Sequence, residues 1–273
     1  MSYKGSLFYN MLEFPSYLFQ VQQARRRLQD RWPMRRIFYG SHRQQYVLQI
    51  GNENSKRPVA FYFHGGAWAF GSPHQFLPAA APFLEAGYQV IMPSYRKMPF
   101  HHFGHIKEDL TTILQLLPAA QKRQSAVVAG MSAGGHLAAW LSLQPKEWKQ
   151  AGWDYEPRAA VLCGAVLDLD SMPGATVLNR LRGPREGQLY QLANPLYQLQ
   201  YIEGLSTRYL IIHGNADGMA PFSQMLGFYE VLIKKSDQVE TVWLNEGTHL
   251  DACRWMFKDD DVGRKIRAFM ARK

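Results

Sequence analysis

From residue 44 onward, short apolar runs alternate with segments whose apolar positions recur every three to four residues. The runs at 46–50 (YVLQI), 59–65 (VAFYFHG), 88–93 (YQVIMP), 125–130 (SAVVAG), 208–214 (RYLIIHG) and 240–245 (ETVWLN) predict strands. The continuous apolar run 158–169 (RAAVLCGAVLDL) predicts another. Runs without polar alternation are those of strands covered on both faces. Helical spacing falls between them, over 75–87, 107–117, 134–143, 222–235 and 262–273, with Gly87 ending the first. Strands alternating with helices of this length predict an α/β fold, a mostly parallel twisted sheet with helices on both faces. Two regions break the rhythm. Residues 6–31 are aromatic-rich and then helix-like, and 170–206 carry several Pro and Gly with no clear strand. We therefore expect one domain over 1–273, with small cap elements from about 1–35 and 170–206. Open sheets of this kind bind ligands at the carboxyl edge of their strands, so chemistry is to be sought where 59–65, 125–130 and 208–214 end.

Length and composition are consistent with this. The chain has 273 residues, 47% of them hydrophobic and 19% charged, enough to bury a sizeable core. Two cysteines, Cys163 and Cys253, sit in apolar contexts and read as buried free thiols rather than a disulfide framework. Asn10, Glu13 and Pro15 interrupt the apolar start before a cleavable leader could form, and no run is long enough to cross a membrane. A cytoplasmic setting is expected. Part of the net charge of +9 lies in ARRRLQDRWPMRR, residues 24–36. It lacks the interleaved stacking aromatics of a single-strand binder, so a solvated helix face is expected and no nucleic-acid partner. Phe8, Met11, Leu12, Phe14, Tyr17 and Phe19 form an apolar stripe that could touch lipid or pack on a site mouth; the second is the expectation.

The candidate chemistry begins in AVVAGMSAGGHLAAW, residues 126–140. Gly130-Met131-Ser132-Ala133-Gly134 matches G-x-S-x-G, and it follows a predicted strand and opens a predicted helix, as a nucleophile elbow must. Read alone, Ser132 could equally be a helix N-cap flanked by packing glycines. A serine hydroxyl needs a base, and the base an orienting carboxylate. His249 follows the strand at 240–245 and Asp217 follows the one at 208–214, giving the order Ser132, Asp217, His249. Asp168 is the second choice for the acid, and Asp251 is too near His249 in sequence to turn back on it. In YFHGGAW the amides of Gly66 and Ala67, with that of Ala133, are the candidate oxyanion donors. His64 is expected to anchor that loop and Trp68 to pack or line a pocket. His101, His102 and His105 suggest a metal by spacing. Gly104 and the missing thiol or carboxylate ligands argue against it, so no metal and no cofactor are expected.

These residues resemble the α/β-hydrolase superfamily, specifically the esterases similar to hormone-sensitive lipase and their kynurenine-formamidase-like relatives. The resemblance runs from about residue 45 to the end, carried by HGGAW, GMSAGG, HGNADGMAP and GTHL. SYRKMPFHHFGHIKED, residues 94–109, adds Tyr95, Arg96, Pro99, His101, Phe103, Glu108 and Asp109 in the family pattern. Lys97, Met98 and Phe100 depart from it, and Ala67 replaces a third glycine. The resemblance implies an α/β-hydrolase fold and Asp217 rather than Asp168 as the acid. It implies metal-free hydrolysis of a small-molecule ester, by a serine carboxylesterase acting on short- to medium-chain acyl groups. The His-Gly-Gly-x-Trp form keeps an aryl formamide hydrolase as an alternative, and a non-catalytic hydrolase-fold binding protein is the other.

Overall fold

The computed structural model describes residues 5–29, 31–52, 54, 56–172, 175–184, 187–258 and 260–272, without the side chains of 14, 27–29 and 175. The Phe14 side chain of the apolar stripe, part of the basic run 24–36, residues 1–4, 30, 173–174 and 185–186 of the expected cap elements, and Lys273 of the last predicted helix therefore lie outside what is described.

Eight strands form one sheet: β1 (Met34–Phe38), β2 (Tyr46–Ile50), β3 (Val59–Phe63), β4 (Gln89–Pro93), β5 (Ala126–Met131), β6 (Ala159–Cys163), β7 (Arg208–Gly214) and β8 (Val239–Leu244). Their order is β1-β2-β4-β3-β5-β6-β7-β8. β2 pairs antiparallel with β1 and β4, and every pairing from β4 to β8 is parallel. The parallel strands need helical crossovers, and these cover both faces. Alternate residues of one strand therefore enter two cores. Val59, Phe61 and Phe63 of β3 pack with the helices Phe103–Gln115 and Ala133–Ser142. Ala60 and Tyr62 pack on the other side with the segment Pro73–Glu85 and the terminal helix Asp261–Ala271.

Three elements differ from the sequence expectation. The strand β1 takes up the end of the basic run, Met34 to Arg36, where a helix face was expected. Arg35 reaches the Gln49 side chain (3.0 Å) and Arg36 lies over the Tyr46 ring, so two arginines run along the sheet edge and blunt it. The helix expected over 75–87 is a 3₁₀ segment, Pro73–Ala80, followed by the short α-helix Ala81–Glu85. Pro78 and Pro82 remove amide donors there. The apolar run 158–169 is extended only over Ala159–Cys163, because Gly164 turns the chain at φ +47°.

The irregular region 170–206 forms three short helices, Ala175–Arg182, Gln188–Ala193 and Pro195–Gln200. The N-terminal stretch forms two more, Leu7–Leu12 and Phe14–Gln29. No helix among the described residues is long and apolar enough to cross a membrane. The strand order brings the carboxyl ends of β3, β5, β7 and β8 along one edge, with only β6 between β5 and β7.

Candidate active site

β5 ends at Met131 and a helix begins at Ala133, leaving Ser132 as the single hinge residue between them. Its backbone sits at φ 55°, ψ −121°, a conformation that costs a non-glycine residue roughly 1–3 kcal/mol. The surroundings hold it there. Ser132 N–H donates to the Cys163 carbonyl of β6 (2.9 Å), and its own carbonyl accepts from His136 N–H (2.9 Å). A Cβ at Gly134 would lie 2.1 Å from the Phe63 carbonyl oxygen, so only glycine lets this helix close against the end of β3. Ser132 is half-buried and faces a cavity, and among the described residues none hydrogen-bonds its Oγ.

His249 follows β8 and opens the 3₁₀ segment Leu250–Met256; Asp217 lies in the loop after β7. His249 Nδ1–H donates to Asp217 Oδ2 at 2.7 Å, with both residues buried. The other carboxylate oxygen accepts from the amides of Met219 (2.9 Å) and Ala220 (2.7 Å), which fixes the plane of the carboxylate. Burial alone would raise the Asp217 pKa. The neighbouring His249 and His213, with the Ala220 amide, outweigh burial and hold it below the ordinary carboxylate range. His249 therefore meets a fixed, ionised partner that orients its ring. Asp251 instead accepts from the Thr248 amide (2.8 Å) and hydroxyl (3.1 Å), bracing the turn that presents His249.

Asp168 points elsewhere. It accepts from Asn194 Nδ2 (3.0 Å), the Ser171 hydroxyl (2.5 Å) and the Asp170 amide (3.0 Å). Next to it, Asp170 pairs with the buried Arg182 at 2.6 Å. These bonds fasten the 170–200 segment to the sheet.

The loop after β3 carries Gly66, Ala67 and Trp68 at positive φ (124°, 49° and 57°). The Gly66 carbonyl accepts from the amides of Ala69 (3.0 Å) and Phe70 (2.8 Å), closing a tight turn. The amides of Gly66, Ala67 and Ala133 have no acceptor among the described residues. Two buried histidines pin this loop. His64 stacks on Tyr95, with ring centroids 4.7 Å apart, and its Nδ1–H donates to the Gly65 carbonyl (2.7 Å). Burial first, then the charge of Lys97, pushes its pKa down to about 3, so it stays neutral. Trp68 Nε1–H donates to His136 Nδ1 (3.1 Å), and His136 Nε2–H donates to the Ala193 carbonyl (2.7 Å). Burial lowers the His136 pKa to about 4. As a neutral ring it accepts on one side and donates on the other, linking the turn to the helix after Ser132 and to the 188–193 helix.

Residues 94–109 serve as scaffold. Arg96 pairs with Asp109 (2.9 Å) and Glu108 (2.9 Å) and donates to the His105 carbonyl (2.8 Å). Lys97 is buried, its ammonium 3.3 Å from both Ser94 Oγ and the Tyr95 carbonyl, while Phe100 is exposed. Burial lowers the Lys97 pKa to about 8. The three histidines lie at the start of the helix Phe103–Gln115, where His102 Nδ1 accepts from Gly104 N–H (3.1 Å) and His105 Nδ1 from His102 N–H (3.3 Å). These nitrogens act as helix caps.

Ser132 and His249 share a cavity of about 430 Å³ with Gly66 and Ala67. Its remaining walls are apolar. Met11 and Tyr17 come from the N-terminal helices, Phe70 and Phe76 from beyond the glycine turn, and Met131, Met219 and Leu250 from beside the polar residues. No residue of 170–206 lines it among the described residues. A larger hollow, about 750 Å³, lies at the opposite end of β5 and β6 around Ser125, Trp153 and Arg158, away from all of these groups.

Two residues here escaped the sequence reading. His136 was passed over as part of a helical run, and Asn10, whose side chain accepts from His249 N–H (2.8 Å), was read only as an interruption of an apolar start. A polar side chain alone in an apolar helix was the available signal for each.

A mostly parallel order of this kind, with a strained serine after β5 and a histidine after β8, defines an α/β-hydrolase. Residues 47–232 match the BD-FAE family, and the chain belongs to that family. It is similar to the "Probable carboxylic ester hydrolase LipM" of Mycobacterium tuberculosis, 27% identical over 227 residues, covering 74% of this chain and 52% of that protein. It is also similar to kynurenine formamidase of Drosophila melanogaster, 23% identical over 237 residues, covering 84% and 79%. The chain thus spans about half the length of the mycobacterial relative. Among solved structures, esterase B of Lactobacillus rhamnosis superposes with a TM-score of 0.73 at 18% identity, covering 97% of this chain and 94% of that one.

Proposed function

We propose that this protein is a serine carboxylesterase hydrolysing uncharged esters with short- to medium-chain acyl groups. The observation that carries the proposal is the 2.7 Å bond from His249 to Asp217 at the edge of an apolar cavity that His249 shares with Ser132. His249 takes the Ser132 proton as Oγ attacks the ester carbonyl, and the imidazolium then protonates the leaving alcohol. Asp217 holds the ring tautomer and stabilises the imidazolium. The amides of Gly66, Ala67 and Ala133 receive the charge that develops on the carbonyl oxygen, each such donor supporting the transition state by roughly 3–4 kcal/mol. Water, activated by the same histidine, releases the acid and restores Ser132.

The cavity supports the substrate class. Three methionines and the rings of Tyr17, Phe70 and Phe76 line it, and among the described lining residues His249 and the Tyr17 phenol are the titratable groups. An acyl chain gains from that burial, whereas a sugar or a zwitterion would lose hydration there. The same argument disfavours an amino-acid-bearing aryl formamide, the class suggested by the likeness to a formamidase. The partner is therefore a small-molecule ester. The N-terminal helices and 170–206 are assigned as cap elements of one domain, and the two buried free thiols favour a cytoplasmic setting.

A panel of p-nitrophenyl esters from acetate to decanoate, run beside N-formylkynurenine, tests this. Butyrate to octanoate should be fastest, with a burst of p-nitrophenol, and Ser132→Ala should abolish turnover. Turnover of the formamide well above every ester, or undiminished activity in Ser132→Ala, would overturn it.

A further inference from the structure

The N-terminal helix Leu7–Leu12 has exposed apolar side chains, including Phe8 and Met11, yet Asn10 within it is wholly buried. Asn10 Oδ1 accepts from the His249 backbone N–H at 2.8 Å. Its Nδ2 donates to the Ser6 carbonyl at 3.0 Å, which sets the oxygen end of the carboxamide toward His249. The Ser6 hydroxyl in turn caps the helix by accepting from Tyr9 N–H (3.2 Å). His249 stands at the start of a 3₁₀ segment with helical backbone angles (φ −55°, ψ −45°), so its N–H has no partner within that segment. A residue 239 positions away in sequence supplies one.

Two further contacts tie the same stretch to the same loops. Glu13 pairs with Arg254, in the 3₁₀ segment that follows His249, at 2.7 Å. Gly218, next to Asp217, packs against the backbone of Gly5 and Ser6 so closely that a Cβ would lie 2.7 Å from their atoms. The N-terminal segment thus clasps both the loop that carries His249 and the loop that carries Asp217.

We infer that Asn10 is a positioning residue: its carboxamide fixes the backbone of His249 so that the ring stays between Asp217 and Ser132. The inference rests on the esterase reading above. It assigns the N-terminal helix a part in the chemical step, beyond the wall that Met11 of the same helix supplies to the cavity. A removed anchor lets the histidine drift, and a drift of about 1 Å costs on the order of 100-fold in rate.

The test compares Asn10→Leu, Asn10→Asp and Met11→Ala in the full chain, with folding checked by circular dichroism. Asn10→Leu should lower kcat on p-nitrophenyl butyrate roughly 10- to 100-fold with KM little changed. Asn10→Asp keeps an oxygen facing the His249 N–H and should recover most of that loss. Met11→Ala should act mainly on KM. If Asn10→Leu does not fold, Asn10→Ala carries the same comparison. A folded Leu or Ala variant with wild-type kcat, or an Asp variant as slow as the Leu variant, would overturn the inference. The esterase reading fails separately, if wild-type protein neither turns over esters nor is labelled on Ser132 by a fluorophosphonate.

Discussion

Asp168 and Asp217 stand at the same edge of the sheet, each a few residues past a buried parallel strand and each buried, yet their surroundings differ. Around Asp217 the partners are an imidazole at 2.7 Å and two amides on the other oxygen. Around Asp168 they are an amide side chain, a hydroxyl and a backbone N–H, all belonging to the segment it fastens. A carboxylate facing a histidine can answer a charge that appears during reaction. One saturated by neutral donors holds structure and answers nothing. Residue type and position along a strand do not separate these cases; the partner does.

Substitution should expose the difference. In Asp217→Asn the ring loses its tautomer control, and kcat/KM on p-nitrophenyl butyrate should fall about 10⁴-fold with the fold intact. A loss under tenfold would mean that the pair does not serve the reaction. Asp168→Ala should do the reverse. Asn194, Ser171 and the Asp170 amide lose their acceptor, so urea unfolding should show a loss of about 1–3 kcal/mol while kcat stays within about threefold. A large fall in kcat with unchanged stability would exchange the two roles.

The remaining effect concerns pH. His64 and His136 are buried and neutral, with pKa values lowered to about 3 and about 4. The unfolded chain takes up these protons below about pH 6.5, and the folded chain does not until far lower. The contribution of these two histidines should therefore be flat above about 6.5 and fall as pH drops toward 4, by roughly 1 kcal/mol per pH unit for each. Asp217 behaves differently: its depressed pKa adds stability that is present at neutral pH and lost only as pH falls below about 4. Urea midpoints at pH 7, 6 and 5 report the buried histidines, including His213, whose pKa burial also lowers. Equal midpoints would mean that His64 and His136 take up protons within the fold.

Much of this arrangement was legible in the chain, for identifiable reasons. β3, β5 and β7 are continuous apolar runs because both faces are covered, and that burial needs no knowledge of neighbours. Ser132, Asp217 and His249 could be proposed together because each follows such a run, in an order set by connectivity. The strand β1 was missed because Arg35 and Arg36 make it an edge, and edges carry charge where interiors carry pattern. Pro78 and Pro82 turned the helix expected at 75–87 into a 3₁₀ piece and a short turn of α-helix. Asn10 and His136 stood out as polar side chains in apolar helices, but their partners, the His249 amide and the Ala193 carbonyl, lie 239 and 57 residues away. Local spacing holds no trace of such a bond.

The most direct test of the central claim is mass spectrometry of the intact protein after exposure to a fluorophosphonate, followed by peptide mapping. One adduct per chain, on Ser132, formed much more slowly in Asp217→Asn, is the expected result. No adduct, an adduct at another residue, or an equal rate in Asp217→Asn would contradict a nucleophile at Ser132 activated through His249 and Asp217.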